Sequence, residues 1–217
     1  MTTFPRSPRL LRGGLVLIDP GTGQVQRIIA LQYNPDTLTR TLQIKGVGVE
    51  SGDRSEALRL KGPPVETLKL DAEIDITDQL EQAEAQATQL GLHPQLAALE
   101  AIVYPTSAHL RENNTAAKSG TLEIAPMQAA LTLFIFGPNR LMPVRVTEFS
   151  ITEEAFDINL NPIRAKVSLG LRVLSVDDLG FDHKGGNLFM AYLQRKEQLA
   201  ARSGNGTFSQ LGLTGLP

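Results

Sequence analysis

The chain of 217 residues contains no cysteine. Disulfides, thiolate metal sites and cysteine nucleophiles are therefore excluded, and the fold needs no oxidative cross-links. A dominant charge is also missing: 21 Lys and Arg against 23 Asp and Glu leave a formal net charge of −2. That balance gives no electrostatic ground for nucleic acid or an anionic membrane as partner. No run approaches the roughly 18 apolar residues of a membrane span. Met1 to Gly14 carries Arg6, Arg9 and Arg12 but not the continuous apolar stretch of a signal peptide. These absences predict cytoplasmic synthesis without direct membrane insertion.

Familiar catalytic patterns are lacking as well. There is no Gly-x-Ser-x-Gly elbow, His-Glu-x-x-His pair or Gly-x-x-x-x-Gly-Lys phosphate loop. Gly185-Gly186 and Gly204-Asn205-Gly206 read as a turn and a tail. Of the three histidines, His93 precedes Pro94 at a junction between two predicted helices and His109 falls in a polar loop. His183 follows Asp182, close to Asp177 and Asp178. Only this last group offers even the start of an acid/base or metal site, and it would need further ligands. Asp71, Glu73 and Asp75 share one strand face and could in principle hold a cation, but a solvated polar face is the simpler account. The sequence thus predicts no catalytic, cofactor-binding or metal-ligating residue and no cofactor. A cytoplasmic enzyme built on Asp177 to His183 is the alternative from a different functional class.

What is present is β patterning. Hydrophobic residues at 41% and charged residues at 20% suit an ordinary globular protein with one sizeable core. Between Gln26 and Leu42 the chain reads strand, Asn34-Pro35-Asp36-Thr37, strand. Pro35 lacks an N–H and Asn34 starts turns readily, so this is a hairpin or a corner. From Leu68 to Ile76 apolar residues alternate with Lys69, Asp71, Glu73 and Asp75. From Ala165 to Val173 they alternate with Lys166, Ser168, Gly170 and Arg172, following Arg164. Both are long half-buried strands. One polar face is mostly acidic and the other basic, so placing them in one sheet, as neighbours or across a subunit boundary, would allow opposite-charge cross-strand pairs.

The remaining segments fall into order around these two. Leu15 to Asp19, a turn through Gly23 and the Gln26 strand form a first hairpin. Gly46 to Pro64 is a long, charged, glycine-rich segment that reads as a functional or mobile loop. Thr77 or Asp78 caps a helix through Leu90, and a second helix runs from Pro94 to Pro105 with Leu96, Leu99, Ile102 and Val103 inward. Thr106 to Gly120 reads as a polar loop. Leu131 to Phe136 is apolar enough to be covered on both faces, and its return strand slips in alternation near Glu148, which predicts a bulge. Asn187 to Arg202 is a terminal amphipathic helix, followed by a fraying Ser/Gly-rich remainder. The predicted organisation is a β domain over residues 1–180, with its loop at about 46–64 and helices at about 77–104, then a helix and tail over 181–217.

In this order the segments resemble the tube-domain family of contractile injection systems, the phage-tail-like particles that drive a spiked tube through a target membrane. The likeness is carried by Leu31 to Leu38 (LQYNPDTL), Pro64 to Asp75 (PVETLKLDAEID), the helical Gly91 to Pro105, and Leu141 to Val146 (LMPVRV) continuing through Leu174. It spans roughly residues 14–180. The resemblance implies a mainly β fold with flanking α-helices, a tail-tube-like antiparallel β-sandwich or half-barrel that completes a hexameric ring. It implies a structural, non-enzymatic subunit at the base of the inner tube, with its own copies, the spike or hub, inner-tube subunits and baseplate proteins as partners. A stacking inner-tube subunit is the alternative within the family. The implied location is a phage-tail-like particle assembled in the cytoplasm, which is cytoplasmic, membrane-anchored or released. Longer relatives carry a C-terminal LysM-type module, for which this chain's tail is too short.

Overall fold

The computed structural model describes residues 11–46, 58–120, 129–204 and 206–216. Among these residues seven strands are β1 (Gly14–Ile18), β2 (Val25–Ala30), β3 (Leu38–Gln43), β4 (Val65–Asp75), β5 (Leu131–Ile135), β6 (Leu141–Phe156) and β7 (Pro162–Val173). Six helices among them are α1 (Thr77–Glu81), α2 (Ala85–Leu90), α3 (His93–Glu100), α4 (Ser107–Lys118), α5 (Val176–Leu179) and α6 (Lys184–Ala201). The strands form one antiparallel sheet in the order β2-β1-β5-β6-β7-β4-β3, and the sheet is not closed.

The two alternating strands are neighbours. β4 and β7 pair from Thr67↔Arg172 to Asp75↔Arg164. Period-two geometry then sends Leu68, Leu70 and Ala72 of β4 and Ala165, Val167, Leu169, Leu171 and Val173 of β7 into the core. Leu15, Phe134, Met142 and Val144 join them from the other strands, Leu92, Leu96 and Leu99 from around α3, and Phe189 and Tyr192 from α6. β5 is covered on both faces as its composition predicts: Phe134 belongs to this core, while Leu131 and Leu133 pack with Ile18 in a second, smaller cluster.

The expected bulge is present, since the β6–β7 register shifts between Val146 and Glu148. Gly170 sits opposite it because a Cβ there would lie 2.8 Å from the Glu148 Cβ. β6 changes partners along its length. It pairs with β5 over Leu141–Val144 and with β7 from Val144 to Phe156, so among the described residues its 145–156 stretch has no strand on the β5 side.

β2 and β3 are consecutive in sequence yet form the two ends of the sheet. Asn34-Pro35 is therefore a corner and not a hairpin. In a flat sheet six inter-strand spacings would part β2 and β3 by roughly 29 Å. The chain from Ala30 to Leu38 reaches about 26–29 Å only when fully extended, and it contains a turn. The sheet must curl so that its two ends approach.

Several expectations are corrected. The helix expected over 77–90 is two short helices, broken where Ala83 adopts a left-handed φ of 51°. Neither Thr77 nor Asp78 caps it; the Asp75 carboxylate instead accepts from the Thr77 N–H at 2.8 Å. The second helix ends at Glu100, leaving Val103 exposed. Thr106 to Gly120 is not a loop: Thr106 caps α4 by accepting from the His109 N–H, and no residue of that helix is buried. Gly185-Gly186 are not a turn but the first turn of α6, where a Cβ on Gly186 would collide with the Gly180 carbonyl oxygen. The tail carries a 3-10 turn at Phe208–Leu211. The Gly46 to Pro64 loop is pinned at its neck by the Lys61 N–H donating to the Lys45 carbonyl at 2.8 Å and by a Gly46–Leu60 bridge. Its central residues 47–57 lie outside the described residues.

Candidate assembly surface

The polar face of β4 and β7 is a zipper of cross-strand pairs. Arg164 Nε donates to Asp75 at 2.9 Å, Lys166 Nζ lies 3.6 Å from Glu73, and Ser168 Oγ donates to Asp71 at 2.5 Å. Each of these pairs joins residues directly opposite in the β4–β7 register. One further pair spans three strands: Lys69 Nζ reaches Glu148 of β6 at 2.8 Å, passing over Gly170 of β7. Burial pushes the Asp75 carboxyl up, but hydrogen bonds from the Thr77 side chain and N–H and from Arg164 outweigh it and hold it below the ordinary carboxylate range. The Asp75 hydrogen bond and charge raise the Arg164 guanidinium in turn. The carboxylate row is thus occupied by side chains of the neighbouring strand.

Among the described residues the edges of this charged surface are open: β3 has only β4 beside it, and the 145–156 stretch of β6 has only β7. β4 also runs past β3, whose last partner in it is Leu70. At that overhang Gln32 takes the place of a strand. Its amide nitrogen donates to the Asp75 carbonyl at 2.6 Å and its oxygen accepts from the Asp75 N–H at 2.9 Å. Asn34 ties the same corner to the segment before β1, accepting from the Gly13 N–H and donating to the Leu11 carbonyl, both at 2.8 Å.

The β6–β7 turn projects beyond the end of β4. Asp157 rigidifies it by accepting from the Asn161 amide and from the backbone N–H groups of Asn161 and Asn159, which hold its carboxyl below the ordinary range. At the tip Ile158 is 99% and Leu160 78% exposed. Elsewhere a cleft of about 520 Å³ opens between β2, the inner faces of β4 and β7, and helices α1 and α3.

One functional-looking cluster has no counterpart in the sequence reading. Glu66, with its side chain only 4% exposed, accepts from Tyr192 Oη at 2.9 Å and Lys196 Nζ at 2.8 Å, with Arg40 3.6 Å away. Burial pushes the Tyr192 phenol up, an effect the neighbouring Lys196 partly offsets. The cluster fastens α6 to β4 and β3. The signal was available: Glu66 has the same parity as Leu68 and Leu70 and so faces the core.

The remaining sequence candidates are dispersed. His93 opens α3 and His109 lies on α4. His183 Nδ1 accepts from the Gly185 N–H at the start of α6, Asp177 pairs with Lys45 at 2.8 Å, and Asp178 pairs with Arg172 at 2.6 Å while capping α5. Asp182 is exposed. Among the described residues no three His, Cys, Asp or Glu side chains are grouped to hold a metal, and no helix is long and apolar enough to cross a membrane. Neither protein-family models nor curated proteins give a match to this chain.

Proposed function

We propose that this protein is a structural subunit of a contractile injection system, forming a hexameric ring at the base of the inner tube and joining the spike or hub to tube and baseplate. The observation that carries the reading is one charged sheet face, β6-β7-β4-β3, flanked by two edges that no described strand covers. Exposed strand edges template uncontrolled pairing unless they are covered. A closed ring that lays β3 of each copy beside the free β6 stretch of the next covers both edges at once, and such a head-to-tail contact closes when the rotation per copy divides a full turn. The face turned to the lumen would then be the zipper of paired charges, and the apolar faces would stay in each subunit's core. The long strands give the ring a continuous hydrogen-bonded wall, and the exposed helix α4 is left to meet other layers.

Electron microscopy of the assembled particle with this chain labelled tests the reading. Six copies on the central axis at the foot of the tube are expected. Three copies, or none on the axis, overturn it, and purified protein that polymerises into long tubes favours the stacking inner-tube subunit instead.

A further inference from the structure

The exposed tip of the β6–β7 hairpin and the cleft beside β2 have complementary chemistry. The tip offers two aliphatic side chains, Ile158 and Leu160, on a turn held rigid by Asp157. Glu153, exposed on the arm just behind it, belongs to no ion pair among the described residues. The cleft has an apolar floor that includes Ile74, Leu99 and Val167, and its wall includes Ala98 of α3. Its rim carries two exposed arginines, Arg12 and Arg27, which likewise form no ion pair among the described residues. Gln79, which also lines it, has a buried side-chain oxygen without a hydrogen-bond partner among the described residues. An orphaned acceptor of this kind is a cost that a donor on an incoming group removes.

We infer that the cleft receives the β6–β7 hairpin tip of a second copy of this chain. Ile158 and Leu160 fill the apolar floor, Glu153 meets the arginine rim, and a backbone N–H of the tip is available to Gln79. Among the described residues the Ile158 N–H has no acceptor of its own. An apolar projection that fits a pocket elsewhere on the same molecule makes a head-to-tail contact, which propagates from copy to copy. The inference deepens the ring reading, on which it rests for the number of copies, by naming a second, side-chain lock apart from strand pairing.

Because the chain has no cysteine, disulfide trapping tests this cleanly on the full protein. Ile158→Cys and Ala98→Cys are made as separate variants, and a disulfide between them requires Cα atoms within about 7 Å. Mixed in equal amounts at about 1 mM, a concentration that samples even millimolar contacts, they should yield a cross-linked dimer under mild oxidation. Each variant alone should stay uncross-linked. Arg27→Glu added to the Ala98→Cys variant should slow cross-linking several-fold, and Glu153→Arg added to the Ile158→Cys variant should restore it. The inference is overturned by no mixed dimer, by equal cross-linking of Ile158→Cys with itself, or by a doubly substituted chain that closes a disulfide within one molecule. A six-fold ring in particle images without the 158–98 disulfide would sink the lock and leave the ring standing; the disulfide in a particle without six-fold symmetry would do the reverse.

Discussion

Replacing Gln32 by alanine removes both hydrogen bonds that fasten the corner to the end of β4, the 2.6 Å bond to the Asp75 carbonyl and the 2.9 Å bond from its N–H. A hydrogen bond within a protein contributes about 0.5–1.5 kcal/mol net. The pair is therefore worth roughly 1–3 kcal/mol, toward the upper part where the β4 backbone groups are left half-buried and poorly hydrated. For a chain of this size each kcal/mol moves the melting temperature by about 2–4 °C, so the variant should melt roughly 3–10 °C lower by differential scanning calorimetry. Gln32→Glu should fare no better, since a carboxylate faces the Asp75 carbonyl and repels it. Hydrogen exchange supplies the local readout: the Asp75 amide should lose protection while amides of the β6–β7 ladder keep theirs. A melting shift below about 1 °C together with unchanged Asp75 exchange would refute the idea that Gln32 substitutes for a missing strand.

Two other perturbations separate the faces and the charges. Leu169→Asp should abolish the cooperative melt seen by circular dichroism, because cavity-forming truncations alone cost about 2–5 kcal/mol and an unpaired buried charge adds to that; Glu73→Gln, which alters one exposed pair with Lys166, should stay within about 1 kcal/mol of the parent. Equal damage from both would show the faces misassigned. Asp75 has a folded pKa held below its unfolded value of about 3.9, so its contribution is full above about pH 4 and is lost as pH falls through the depressed folded value. Asp75→Asn should accordingly be less stable than the parent at pH 7 in urea titrations, with the gap closing in acid; a gap that widens in acid would contradict the sign.

The features legible in the sequence are those with a strict period. The alternation over Leu68–Ile76 and Ala165–Val173 gave the faces of β4 and β7, and the opposite signs of their polar residues allowed for cross-strand ion pairs without fixing the register, in which Glu73 meets Lys166 and Asp75 meets Arg164. The slip near Glu148 gave the bulge. α4 went unseen because a helix that buries nothing has no apolar stripe to betray it, and only the Thr106 cap and the helix-forming Ala, Leu, Arg, Glu and Lys residues argued for it. The β1–β2 hairpin was legible from its turn, but the separation of β2 from β3 was not. Strands close in sequence usually lie side by side, and here tertiary packing places them at opposite ends of the sheet. Glu66 stands in phase with Leu68 and Leu70, but its charge disguises a core-facing position. The cleft and the hairpin tip depend on how distant segments meet, which no local pattern encodes.

The corner from Leu31 to Thr37 has one more consequence. The pairs on the charged face respond to acid and salt, as exposed ion pairs do. The widest separation the two ends of the sheet can reach does not, because the covalent chain that spans them sets that limit. The molecule thus pairs a surface whose electrostatics follow the medium with a bound on its opening that is indifferent to it. A body carried from one ionic environment to another would change its charge pattern yet could not flatten its sheet.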